Sequence, residues 1–195
     1  LALRGARVLA TGRSVEKVEK ACQGMRGLIT PLALELTDLN SVNRCAATIK
    51  ERDLCPDIVI LNAGRDHSGT LELVSGIEAV FFANFLGHFV LINNLLPIML
   101  MRNSGRIVHV ASNSAYKKDK GPPRDGIDFD NLRGEGIYNA QDAYGRSKLA
   151  NTLFAFELAD RLKGTGITSN AIHPGSVFTN IAHSFPADVR QAMKD

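Results

Sequence analysis

The sequence predicts an α/β fold, a parallel sheet doubly wound with helices on both faces. Three observations carry that prediction. Short apolar runs recur at residues 7–10, 28–36, 57–61, 105–111 and 167–172, the pattern of strands buried on both sides. Stretches with helical spacing of apolar residues separate them, so strand and helix alternate as βαβ crossovers require. Small and polar residues gather where the runs stop, at Gly12-Arg13, Asp38, Asn62-Ala63-Gly64, Ser112 and Pro174-Gly175. In parallel sheets that is the end where ligands bind.

In chain order, residues 7–10 form a strand that stops at Thr11-Gly12-Arg13, and Ser14 caps a helix reaching about Met25. Residues 28–36 form the next strand, ending at Thr37-Asp38, and a helix follows from Asn40 or Ser41 to Arg52. The β-branched run DIVIL (57–61) is a strand bounded by Asn62-Ala63-Gly64. Residues 76–101 read as mostly helix, 105–111 as a strand and 117–139 as a long polar loop. Residues 139–163 form one long helix, capped by Asn139 with Asp142 in the style of a capping box. Leu149, Leu153, Phe156 and Leu162 mark its core side, and Gly164 and Gly166 stop it. The last strand, 167–172, runs into His173-Pro174-Gly175.

Composition narrows the function. The chain has 195 residues and is 45% hydrophobic, so residues 1–195 make one domain able to bury a core. A net charge of +3 is too small to indicate nucleic acid as a partner. Lys117, Lys118, Lys120 and Arg124, beside Gly121 and Pro122, read as a solvated loop. Cys22, Cys45 and Cys55 form no C-x-x-C and suit a reducing compartment. The five histidines lack metal-ligand spacing, so no metal is expected. Residues 1–10 show no signal-peptide pattern. Residues 81–101 carry no formal charge but include Asn84, His88, Asn93, Asn94 and Pro97, which suits a buried helix better than a membrane span.

The chemistry centres on the helix at 139–163. Tyr144 and Lys148 are four residues apart, so a phenol and an ammonium share one helix face. A nearby ammonium favours the phenolate, and a phenol so poised can pass a proton to or from an alcohol oxygen.

The motifs ARVLATGR (6–13), TDL (37–39), LNAG (61–64), ANFLGHF (83–89), GRIVHVAS (105–112), AYGRSK (143–148) and HPGSVFT (173–179) run the length of the chain. Taken together they resemble the short-chain dehydrogenase/reductase family, and its retinol dehydrogenase-like branch most closely. That branch includes the WW-domain-containing oxidoreductase. The resemblance implies a Rossmann-type fold and an oxidoreductase that interconverts an alcohol and a carbonyl by hydride transfer. Tyr144 would be the general acid or base. Lys148 would lower its pKa and hold the nicotinamide ribose. Ser112 would hydrogen-bond the substrate oxygen, with Ser114 as its competitor, and Asn84 would hold a proton-relaying water. Asp38, with Leu39 beside it, would accept from the adenine amino group, and Asn62, Ala63 and Gly64 would line the adenosine half. Pro174, Gly175, Val177 and Thr179 would flank the nicotinamide. Arg13 stands where an acidic residue would bind the ribose hydroxyls of NAD; an arginine there suits the 2′-phosphate of NADP. A lipophilic aldehyde, ketone or retinoid-like substrate, a homodimer through the 76–101 and 139–163 helices, and a cytoplasmic location or one on the cytosolic face of a membrane follow by the same resemblance. Membrane attachment would come only from an unseen N-terminal segment.

Two departures stand out. The family's N-N-A-G reads Leu61-Asn62-Ala63-Gly64. Its opening strand with the T-G-x-x-x-G-x-G turn has no counterpart here, nor does its final strand. The expectation is therefore an incomplete domain, a piece of a longer enzyme, with a central strand missing between those at 7–10 and 57–61. An inactive relative or an interaction domain without the phosphate-binding loop is the alternative.

Overall fold

The computed structural model describes residues 1–65, 70–116, 126–136 and 138–175. Val177, Thr179 and the basic cluster at 117–124 lie outside the described residues. The first unit is β1 (Val8–Gly12), α1 (Val15–Cys22) and β2 (Ile29–Ala33). β1 and β2 pair in parallel, Val8 opposite Ile29 through Gly12 opposite Ala33. Gly12 thus lies inside the strand rather than in the expected turn. Ser14 caps α1 by accepting the Lys17 N–H. β2 is shorter than the 28–36 reading because its partner turns into α1 after Gly12. The Leu34 N–H makes the last bond, to the Gly12 carbonyl at 2.6 Å.

α2 (Leu39–Glu51) is capped by Asp38 and leads to β3 (Ile58–Leu61). The reading of 76–101 as mostly helix needs correction at its start. Ser75 and Gly76, both with positive φ (51° and 78°), turn a hairpin between β4 (Leu73–Val74) and β5 (Ile77–Glu78). A small residue followed by glycine between apolar pairs is a hairpin signal. Helix then runs as α3 (Ala79–Phe81), a π turn (Phe82–Leu86) and α4 (Gly87–Arg102). Gly87 lets α4 press against the Leu36 carbonyl, where any Cβ would collide. This stretch, Ala79–Arg102, is long and apolar enough to cross a membrane by length and composition. Here it packs on α2, with Ile92 and Met99 fully buried.

β6 (Gly105–Val110), a 3-10 turn (Asn113–Ala115), α5 (Ala140–Arg161) and β7 (Ile167–Ile172) complete the described elements. β3, β6 and β7 form a parallel sheet in that order, with Ile58 opposite Arg106 and Gly105 opposite Ile167. Asn139 caps α5 by accepting from the Gln141 and Asp142 N–H groups. The Asp142 carboxylate returns no bond among the described residues, so half of the expected capping box forms. The assignment of α5's core side was also wrong in part. Leu153 and Phe156 are 49% and 62% exposed, whereas Ala143, Ser147, Ala150, Asn151, Ala155, Leu158 and Leu162 are buried. The helix lays a stripe of small and polar residues against its neighbours, which lets it approach closely. Periodicity of large apolar residues alone placed Leu162 correctly but misassigned Leu153 and Phe156.

One core joins the two sheets. It contains Leu32 of β2, Leu34 and Leu36 after it, Val42, Ala46 and Ile49 of α2, Leu61, Ile107, and Ile92, Leu95 and Met99 of α4. Among the described residues, however, β1 and β3 are in separate sheets. Ile58 and Ile60, on the alternate face of β3 from Leu61, are 59% and 51% exposed. The sheet is interrupted where the family resemblance implies a missing strand, giving an incomplete Rossmann-type α/β fold.

Candidate active site

The loop after β3 and the first turns of α5 meet at Asn84, and Lys148 of the same helix reaches the end of β6. The π turn that contains this residue inserts an extra backbone unit into the helix, a feature frequent at functional sites. Asn84 is fully buried, and its side chain is committed. Its Oδ1 accepts the Arg65 N–H at 2.8 Å; its Nδ2 donates to the Arg65 carbonyl at 3.1 Å and to Ser147 Oγ at 3.1 Å. Both amide hydrogens are thereby used, which leaves Oδ1 lone-pair capacity for a water. The Asn84 carbonyl accepts from Asn151 Nδ2 at 3.0 Å and lies 3.0 Å from His88 Nδ1. One residue therefore ties the loop after β3 to α5.

On α5, Ser147 Oγ also donates back to the Tyr144 carbonyl at 2.7 Å. The Lys148 ammonium lies 5.6 Å from the centre of the Tyr144 ring, so the pair shares a face as its spacing requires. Lys148 is 5% exposed and donates to the Val110 carbonyl at 2.9 Å. Burial pulls its pKa from 10.5 to about 8. Gly64 closes the group: a Cβ there would stand 3.3 Å from Asn84 Oδ1 and 3.8 Å from Lys148 Nζ. The absent side chain keeps open the approach to both.

Ser112 follows β6 and caps the 3-10 turn, accepting the Ser114 N–H at 3.1 Å and donating to Ser114 Oγ at 3.1 Å. That turn packs on α5, so both candidate hydroxyls stand beside the helix that carries Tyr144. Behind them, His88 and His109 are buried, and burial is the main cause that lowers each to a pKa of about 4. His109 Nε2 is 3.1 Å from Ser169 Oγ.

The cofactor-side residues are arranged differently. Arg13 is exposed just beyond β1 and in no ion pair among the described residues. Asp38 spends Oδ1 on the Asn40 N–H at 2.9 Å, and its Oδ2 is 3.5 Å from Arg44. Leu39 opens α2, half-buried, and Asn62 and Ala63 are exposed beyond β3. Pro174 and Gly175 are exposed after β7. Open glycine backbone between an amide and an ammonium, with an exposed arginine beyond the end of β1 that makes no ion pair among the described residues, fits a dinucleotide. Sequence reading missed Arg65, Ser147 and Asn151. The last two could have been found as polar residues repeating every four positions with Ala143 on a helix.

The fold and this arrangement define a parallel α/β domain of the dinucleotide-binding class. A profile of the short chain dehydrogenase family matches residues 1–122, and the chain belongs to the short-chain dehydrogenase/reductase family. Within it, the chain is similar to retinol dehydrogenase 14 of Mus musculus, 37% identical over 192 residues that cover 91% of this chain and 55% of the relative. The chain thus spans about half the length of the curated relatives it matches. A solved structure of an uncharacterized protein from Mycobacterium paratuberculosis superposes with a TM-score of 0.76 at 35% identity, over 99% of this chain and 68% of that one. An actinorhodin polyketide ketoreductase variant solved with NADPH superposes at 0.71 and 26% identity, over 100% and 69%.

Proposed function

We propose that this chain carries the proton-handling site of an NADP-dependent oxidoreductase that interconverts an alcohol and a carbonyl. The observation that carries the reading is the buried Lys148 ammonium held beside Tyr144, with Gly64 and Asn84 converging on it. NADP, when bound, supplies or takes the hydride at its nicotinamide ring. The protein's part is the proton. Tyr144 gives its phenolic proton to the carbonyl oxygen in reduction and takes it back in oxidation. Lys148, cationic at neutral pH, favours the phenolate that remains. Ser112 or Ser114 donates to the same substrate oxygen, and Asn84 Oδ1 keeps a lone pair with which to hold a proton-relaying water. The exposed Arg13 receives the 2′-phosphate, and Asp38 and Asn62 to Gly64 hold the adenosine half. Pro174 and Gly175 flank the nicotinamide, a role the family resemblance extends to Val177 and Thr179 outside the described residues.

Similarity to a retinol dehydrogenase supports a lipophilic aldehyde, ketone or retinoid-like substrate. Exposed Phe89, Leu153 and Phe156 on α4 and α5 support a homodimer through those helices. The cytosol, or the cytosolic face of a membrane, is the proposed location. The test is a panel of aldehydes and ketones offered to the complete protein with NADPH and with NADH, beside Tyr144→Phe. Turnover preferring NADPH is expected, and the variant should lose about 10²- to 10⁴-fold, the range of positioned acid–base groups. No turnover on any carbonyl, or an unimpaired variant, would overturn the reading in favour of an inactive relative.

A further inference from the structure

Glu78 is a buried carboxylate, 5% exposed, in no ion pair among the described residues. Burying such a group is costly unless its lone pairs are filled. Here they are filled from two directions. Oε1 accepts the Val80 N–H at 3.0 Å and Oε2 the Phe81 N–H at 2.7 Å, which caps the start of α3 one turn before Asn84. Oε1 also accepts the Tyr138 hydroxyl at 3.0 Å. Tyr138 directly precedes Asn139, the cap of α5, and Tyr144 lies within the first turns of that helix. The Glu78 N–H donates to the Leu132 carbonyl at 2.9 Å, tying down the segment before Tyr138 as well. Between these elements is a cavity lined by Glu78, Phe81, Leu132, Tyr138, Asp142 and Arg146. Side-chain packing is therefore incomplete where the two helices begin, and the hydrogen bonds of Glu78 span the opening. Burial first, and the Glu78 charge second, hold the Tyr138 phenol above its ordinary pKa, so it remains a donor.

We propose that Glu78 is a positioning residue. By capping the helix that carries Asn84 and holding Tyr138 at the entrance to α5, it sets the spacing between Asn84 and the Tyr144–Lys148 pair. The inference rests on the role proposed above for that pair. Tyr138→Phe removes the hydroxyl and little else; Glu78→Gln keeps the shape and replaces one acceptor oxygen with a donor. Two measurements on the complete protein separate the inference from the reading beneath it. The first is backbone amide exchange. Tyr138→Phe should speed exchange by about tenfold in residues 79–86, a segment remote from it in sequence, as well as at the start of α5. Glu78→Gln should do the same. The second is steady-state kinetics. In both variants kcat should fall about ten- to a hundredfold, the cost of misplaced reacting groups, while KM for NADPH changes less than about twofold. Exchange that changes only near residue 138, or kcat unchanged in an active enzyme, would overturn the positioning role and leave the oxidoreductase reading intact. A wild-type protein with no turnover but coupled exchange would support the structural clamp and overturn the catalytic reading instead.

Discussion

The two ends of the binding face are built on opposite plans. On the β3–β6–β7 side, Asn84, Ser147, Lys148 and Asn151 are all buried and bonded to one another or to backbone. On the β1–β2 side, Arg13 projects into solvent and Asp38 is partly occupied in capping α2. The first region is organised by the chain itself before any ligand arrives; the second offers charges that a ligand must collect. On the function proposed above, the buried side is the one where a proton moves, and preorganisation belongs there because misplacement costs rate. On the same proposal the exposed side only holds a phosphate, for which loose charge suffices.

The largest expected effect falls on the residue that locks the buried region. Asn84→Leu removes three side-chain bonds, strands the Arg65 N–H and carbonyl, and takes from Ser147 Oγ the donor it accepts, leaving only its bond to the Tyr144 carbonyl. A loss of about 3–5 kcal/mol in urea unfolding is expected; a loss under about 1 kcal/mol would mean that the region holds without it.

Acid should strike the same side next. His88 and His109 have folded pKa values near 4, below the 6.5 of an unfolded histidine. The native state therefore binds fewer protons between those values. Stability is whole above pH 6.5 and falls on the way to pH 4, by up to about 3 kcal/mol for each histidine. Denaturant midpoints measured across that range should show the fall, and His109→Asn should reduce it by about half, leaving the His88 share. A flat wild-type profile would mean that the histidines are not shielded.

Lys148 should show function working against stability. Its folded pKa near 8 lies below the unfolded 10.5, so keeping it charged is a penalty at every pH below about 8. Lys148→Met should stabilise the protein by about 1–2 kcal/mol at pH 7, after allowing for the lost bond to Val110. The gain should shrink as pH rises from 8 to 10.5. A destabilised variant would show that the Val110 bond outweighs desolvation.

The smallest structural effect is expected on the exposed side. Arg13→Ala should leave stability within about 0.5 kcal/mol, yet reduce the preference for NADPH over NADH by about tenfold or more. Unchanged preference would move the phosphate site elsewhere.

The exposed region was the easier one to read in sequence. Strand ends and helix caps announce themselves locally, so Ser14 and Asn62 to Gly64 could be placed from spacing alone. The interruption of the sheet came instead from the family resemblance, and Asp38, read as a strand end, proved to cap α2, which starts one or two residues before the expected Asn40 or Ser41. Tyr144 and Lys148 were legible for the same reason, being one helical turn apart. What the sequence hid was relational. Nothing local reveals that Asn84 sits in a π turn, that Ser147 and Asn151 face it, or that Leu153 and Phe156 turn outward while small residues face the core. Those facts depend on how closely α5 approaches its neighbours, a property of packing rather than of periodicity. Glu78 was hidden similarly, because its partners Val80, Phe81 and Tyr138 are assembled only when the hairpin and the entrance to α5 come together.

The account stands most directly on the transfer of hydrogen at the buried site. The complete protein should be incubated with NADPH carrying deuterium at the transferred position of the nicotinamide, together with an aldehyde it accepts, and the product examined by mass spectrometry and NMR. The expected result is one deuterium on the carbinol carbon, formed by wild type and lost with Tyr144→Phe. Alcohol formed without the label, or labelled product at an undiminished rate from the phenylalanine variant, would contradict it.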